Sequence, residues 1–126
     1  MNEEFPKNLL RDVYWSFGGK VFENQAEFSE KVRQYQIDIK EKDDWQPEKV
    51  VLESSAINLI YEFWEDDDEI EKVVEINADN GESFTAGELL FKIHNLVVDD
   101  LRGMDRHFFE GLSLDKPPTF WLNLGS

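Results

Sequence analysis

Ile57-Asn58-Leu59-Ile60-Tyr61-Glu62-Phe63-Trp64, followed by Glu65-Asp66-Asp67-Asp68-Glu69 and then Glu71-Lys72-Val73-Val74-Glu75-Ile76-Asn77, is the stretch that decides the fold. Ile57, Leu59, Tyr61 and Phe63 alternate with Asn58, Ile60, Glu62 and Trp64, the two-residue period of a strand with one face in a core. The second segment is again rich in β-branched residues. Five adjacent carboxylates between them cannot be packed and repel one another. The reading is a strand, a solvated hairpin loop over residues 64–71, and a return strand. Just upstream, Val50-Val51-Leu52 predicts a further strand, with Ser54-Ser55 as a turn or bulge before Ile57, and the two segments are expected to run antiparallel.

Asp79-Asn80-Gly81 is a turn signal. Thr85 and Glu88 then have the spacing of a capping box. Leu89, Leu90, Ile93, Leu96, Val97 and Leu101 follow at helical spacing, so residues 86–101 form an amphipathic helix. Gly103 stands where a glycine ends such a helix. A second capping box, Asn24 with Glu27, opens a helix over residues 25–36 carrying Phe28, Val32 and Tyr35. Pro6 with Phe5, Leu9, Leu10 and Val13 suggests a short helix over 5–13. Tyr14 to Phe17 reads as a strand, Gly18-Gly19 as a tight turn and Lys20-Val21-Phe22 as a returning strand. Residues 107–114 and 119–124 are closing strands around Lys116-Pro117-Pro118. The expected fold class is α+β: a single antiparallel sheet of about five to six strands with two main amphipathic helices packed on one face. The open face of such a sheet meets water or a partner.

The 126 residues fit one domain, 1–126. Apolar residues make up 40%, including ten Phe and four Trp, enough for a core without staples. Cysteine is absent, so disulfides and thiolate metal sites are excluded. Met1 to Pro6 has neither the basic nor the apolar region of a leader peptide. No apolar run approaches the ~20 residues of a membrane span. A cytoplasmic location is the expectation. The net charge of −15 repels polyanions, so neither nucleic acid nor an anionic membrane is an expected partner.

That charge is concentrated. Residues 62–82 hold ten acids and one base, a net −9. Their bland role is a solvated hairpin that discourages edge-to-edge aggregation. Their functional role is a handle for lysines and arginines of another protein, with Trp64 as an aromatic anchor. The candidate partner-binding residues are Glu62, Trp64, Glu65, Asp66, Asp67, Asp68, Glu69 and Glu71.

Cofactor and metal motifs are lacking. With Gly81 at the sixth position of a calcium loop, Ile76 and Gly87 occupy positions that require acids. Gly18-Gly19 and Gly87 match no phosphate-loop spacing. Asp105, His107 and Glu110 form the one conceivable carboxylate/histidine site, although a regular strand points Glu110 away from the other two. His94 reads as a boundary residue beside the apolar stripe of its helix, with a backbone or solvent partner. The seven serines, Ser16 among them, lack an elbow motif or a histidine nearby in sequence.

The leading expectation is a non-enzymatic acidic protein of the bacterial cytoplasm that docks a basic protein through the hairpin, most concretely an immunity protein that inhibits a toxin. The alternatives are a small enzyme built around Asp105, His107 and Glu110, and a structural or self-associating module whose charge provides only solubility.

Overall fold

The computed structural model describes residues 5–125; residues 1–4, read above against a leader peptide, and Ser126 lie outside it. Its elements in chain order are β1 (Asn8–Leu9), β2 (Trp15–Ser16), α1 (Gln25–Lys40), β3 (Val50–Leu52), β4 (Ala56–Glu65), β5 (Asp68–Asn77), β6 (Phe84–Thr85), α2 (Ala86–Leu101), β7 (Phe108–Leu114) and β8 (Thr119–Gly125). The class is α+β, with two helices and one main sheet.

β4 and β5 form a ladder of ten residue pairs from Ala56↔Asn77 to Glu65↔Asp68. The loop is therefore Asp66-Asp67 alone, not the longer 64–71 connection. Both residues have positive φ, 50° and 71°, the backbone of the two-residue turn whose twist matches a hairpin. Aspartate tolerates this region better than bulkier residues.

The main sheet has the order β1-β7-β8-β4-β5, with β2 also on β7. It is mixed rather than purely antiparallel, because β8 lies parallel to β4 over Asn58↔Thr119, Leu59↔Phe120 and Ile60↔Trp121. β7 and β8 are an antiparallel hairpin. That hairpin is added beside β4 only after β5 and α2 have intervened, so β8 can arrive in either direction. Pairing of β7 with β8 skips from Phe109↔Leu124 to Leu112↔Leu122, leaving Glu110 and Gly111 opposite Asn123 alone, a bulge. Gly111 has φ +88, and a Cβ there would stand 3.0 Å from the Leu9 carbonyl oxygen, so this position requires glycine twice over.

Three other expectations fail. Residues 5–13 hold β1 and a turn, not a helix. Leu9 is buried, and its strand pairs with β7, which is worth more than one isolated helical turn. Lys20–Phe22 is not a strand. Instead the Phe22 backbone is clasped by Asn95 of α2, which accepts from its N–H at 2.9 Å and donates to its carbonyl at 2.8 Å. β3 joins neither β4 nor the main sheet. It pairs with β6, in a separate two-stranded unit before α2. This unit serves the start of α2, whose unpaired N–H groups need acceptors. Ala86 N donates to Lys49 O at 2.9 Å and Gly87 N to Pro47 O at 2.8 Å. Thr85 Oγ1 accepts from Glu88 N at 3.2 Å.

α1 runs one turn beyond its expected end, to Lys40. α2 has the expected bounds, with Gly103 at positive φ just past it. Leu89, Leu90, Ile93, Val97 and Leu101 of the expected stripe are buried, and the differences lie at its edge. His94 and Val98 are buried, while Leu96 is exposed. Phe28 and Val32 of α1, the α2 stripe, and Ile57, Leu59, Tyr61 and Phe63 of β4 form one core cluster. At the far end of α2, Tyr61 Oη donates to Asp100 Oδ2 at 2.6 Å and Lys72 Nζ lies 3.1 Å from the same oxygen. Burial and the Asp100 carboxylate push the Tyr61 hydroxyl well above its ordinary pKa.

A turn with two positive φ values favours Asn-Gly over Asp-Asp. Asp66→Asn with Asp67→Gly is expected to stabilise the fold by about 0.5–1 kcal/mol. The thermal midpoint should rise by about 2–4 °C, read by far-ultraviolet circular dichroism. A lowered midpoint would contradict the turn geometry.

Candidate functional site

Strand parity assigns the two faces of the sheet. Ile57, Leu59, Tyr61 and Phe63 enter the core, so Asn58, Ile60, Glu62 and Trp64 occupy the other face. The register then places Glu75, Val73, Glu71 and Glu69 of β5 beside them. On β8, Phe120 and Leu122 are buried, which leaves Trp121 and Asn123 on the open side. One row of side chains crosses five strands on this face: Val73, Ile60, Trp121, Ser113 and Asn8. Asn123 Nδ2 donates to Ser113 Oγ at 2.7 Å beside it. Val73 and Trp64 remain 59% and 54% exposed, so this face carries apolar surface that the fold itself leaves uncovered.

The eight residues expected to bind a partner divide accordingly. Glu62, Trp64, Glu69 and Glu71 lie on the open face. Asp66 and Asp67 are the turn. Glu65 and Asp68 face each other at the end of the ladder, with the parity of the opposite side. All eight are exposed.

Below this acidic end the sheet splits. β4–β8 pairing stops at Ile60↔Trp121, although β4 continues to Glu65 and β8 to Gly125. The gap is an open cleft of about 1080 Å³ at the carboxyl ends of the two parallel strands. Its lining includes Glu62, Trp64 and Glu69 from the hairpin, Trp121 and Asn123 from β8, and Arg106 from the loop after α2. Glu110, turned by the bulge, also reaches it. Its carboxylate covers Gly125 so closely that a side chain there would collide with it.

Glu62 is crowded by the other carboxylates of this face. The Glu62 pKa is raised above its ordinary value of 4.5, first by a hydrogen bond shared with Glu69, then by desolvation, then by the charges of Glu69 and Glu71; Arg106 opposes the shift. Glu62 and Glu71 stand directly opposite each other in the ladder, a destabilising arrangement for like charges.

The alternative site does not assemble. Asp105 and Glu110 line the cleft, but His107 is not part of its lining. The His107 Nδ1 lies 2.9 Å from Ser16 Oγ, a pairing invisible in sequence because ninety-one positions separate the two. No carboxylate bonds this imidazole among the described residues, so the pair lacks the orienting acid of a hydrolytic triad. No three His, Asp or Glu side chains converge as a metal cluster among the described residues.

His94 is not at a boundary but in the core, 1% exposed. Trp15 Nε1 donates to its Nδ1 at 3.0 Å, so Nε2 carries the proton and donates to Lys20 O at 2.7 Å. Phe17, Phe22 and Phe28 pack around the ring. This is a satisfied structural histidine. Burial lowers its pKa, against a smaller raising effect of the Lys20 carbonyl.

Trp121, Asn123 and Arg106 are among the cleft residues that sequence reading missed. Only the alternation of Phe120, Leu122 and Leu124 with Trp121 and Asn123 could have placed the first two. Among the described residues no helix is long and apolar enough to cross a membrane. Comparison with protein-family models, with curated proteins and with solved structures found no match.

Two pH effects follow, with opposite signs. His94 has a folded pKa below its unfolded value of 6.5, so its contribution is complete above that pH and is lost as pH falls below it. Glu62 has a folded pKa above 4.5, so its contribution is complete below that pH and is lost as pH rises through the folded value. His94→Gln should therefore flatten the stability loss below about pH 6.5 in urea unfolding; an unchanged slope would contradict the neutral buried ring. Glu69→Gln should lower the Glu62 pKa in a carboxyl NMR titration, and Arg106→Ala should raise it.

Proposed function

We propose that this chain is a non-enzymatic binding protein of the bacterial cytoplasm that docks a basic protein through its acidic hairpin and the open sheet face behind it. Its most concrete form is an immunity protein that neutralises a toxin. The observation that carries the reading is the crowding of Glu62, Glu69 and Glu71 around the exposed Trp64, at the mouth of a cleft. Interfaces favour an aromatic anchor that can be desolvated next to charges that select the partner. The turn residues Asp66 and Asp67 project beyond the ladder, where they steer an approaching cation before contact. A basic partner relieves the repulsion stored between these carboxylates. Self-association along the free edge of β5 would instead bring together two copies of a strand that carries Glu69, Glu71 and Glu75, which disfavours the self-assembly alternative.

The test is kinetic. The partner is captured from cell extract and identified, and association rates are measured across a salt series. The Asp66→Asn, Asp67→Asn, Asp68→Asn triple variant should associate on the order of tenfold more slowly at low salt, with a flatter salt dependence. Equal rates for variant and parent at every salt concentration would refute electrostatic docking. A toxin gene adjacent on the chromosome would give the partner directly.

A further inference from the structure

We infer that the cleft between β4 and β8 takes up one extended segment of the partner as an added strand, with cationic and apolar residues alternating along it. This rests on the docking function above and specifies which part of the partner enters. β5 satisfies the far edge of β4 and β7 the far edge of β8. Beyond Ile60 and Trp121, the near edges have no strand partner among the described residues. Unpaired edges are templates for strand addition, in which backbone hydrogen bonds supply affinity and alternate side chains supply selectivity. Here two parallel edges flank one gap, so an inserted strand would pair on both sides and rejoin the halves of the sheet.

The lining selects the occupant. On the open side a strand would meet Glu62, Glu69, Trp64 and Trp121. Carboxylates and indole faces both favour lysine or arginine there. On the inner side it would meet Phe63, Met104, Leu122 and Leu124, which favour apolar residues. The cleft's carboxylates, Glu62, Glu69, Asp105 and Glu110, outnumber its two guanidinium groups, Arg11 and Arg106, so charge complementarity is with a cation. Two-residue alternation of side chains delivers both faces from one extended chain.

The probe is the blocked octapeptide acetyl-(Arg-Val)4-amide, added to the whole protein, with the same peptide N-methylated at every valine as control. Binding is followed by tryptophan fluorescence, and the edges by amide hydrogen exchange. The parent peptide should slow exchange at least tenfold at cleft-facing amides of both 62–65 and 122–125. The N-methylated peptide should bind at least tenfold more weakly. Equal binding of the two peptides, or no binding of the parent, would overturn strand insertion. Protection confined to residues 66–71 would also overturn it while leaving the acidic docking surface standing, since that surface is probed separately by the triple aspartate variant.

Discussion

β4 has to serve two neighbours of unequal reach, and the rest of the molecule follows from that inequality. Its ladder with β5 extends over ten pairs, and its pairing with β8 over three. A two-stranded ribbon twists more strongly than a strand held on both sides. Once β8 is left behind, the hairpin continues as such a two-stranded ribbon. The same departure opens the cleft, leaves Trp64 exposed and sets the acidic turn at the end of the ribbon. α2 holds that ribbon from the core side, through Tyr61 and Lys72 on Asp100. These contacts lie where the ribbon leaves the sheet, so they tie it to α2 at that point.

What could be read in the sequence was whatever local pattern determines. The 85–101 helix carries its cap, its stripe and its terminal glycine within nineteen residues, and it formed with the expected bounds. The strand alternation of 57–64 and of 71–77 placed the hairpin and the face that holds Glu62 and Trp64. What could not be read was long-range pairing. Nothing in Thr119–Gly125 specifies a parallel neighbour, because an alternating strand has the same pattern in either direction. β3 has a good strand composition, yet it is spent on the first turn of α2, which needs its neighbouring carbonyls. His94 seemed a boundary residue because its helix is amphipathic. It is buried because Trp15, Phe17 and Phe22, from a segment without regular structure of its own beyond β2, close over that side. The candidate site was legible for its hairpin wall and illegible for Trp121, Asn123 and Arg106, which reach it only through the β8 register and the loop after α2.

The two polar features of the interior and the surface contrast in a way that separates structure from recognition. Gln36 is buried on α1 and fully engaged: its Oε1 accepts from Tyr14 N at 2.8 Å, and its Nε2 donates to the Tyr14 and Val32 carbonyls. His94 is satisfied at both nitrogens. Glu88 accepts from Asp79 N at 2.7 Å and pairs with Lys92 at 2.9 Å. Buried polar groups like these stabilise only when every bond is made, and here they are made. The open face has the reverse economy. Glu62 stands opposite Glu71 across the β4–β5 ladder, with Glu69 bonded to it and Arg106 as a partial counter-charge.

A surface organised only for solubility would intersperse its charges, because interspersion keeps the protein hydrated without setting like charges side by side. This hairpin does the opposite. Glu62 faces Glu71, Glu65 faces Asp68, and Trp64 is left 54% exposed between them. Each of these choices costs folded-state stability: two by like-charge opposition and one by hydrating an indole. A cation placed among these carboxylates reverses the first cost, and an apolar contact on Trp64 reverses the second. Both reversals require a second molecule, since the chain's own bases at this end are outnumbered. The fold thus leaves free energy unrecovered at the docking surface, and the cleft adds a third unrecovered quantity, the backbone hydrogen bonds of two strand edges that part before they end.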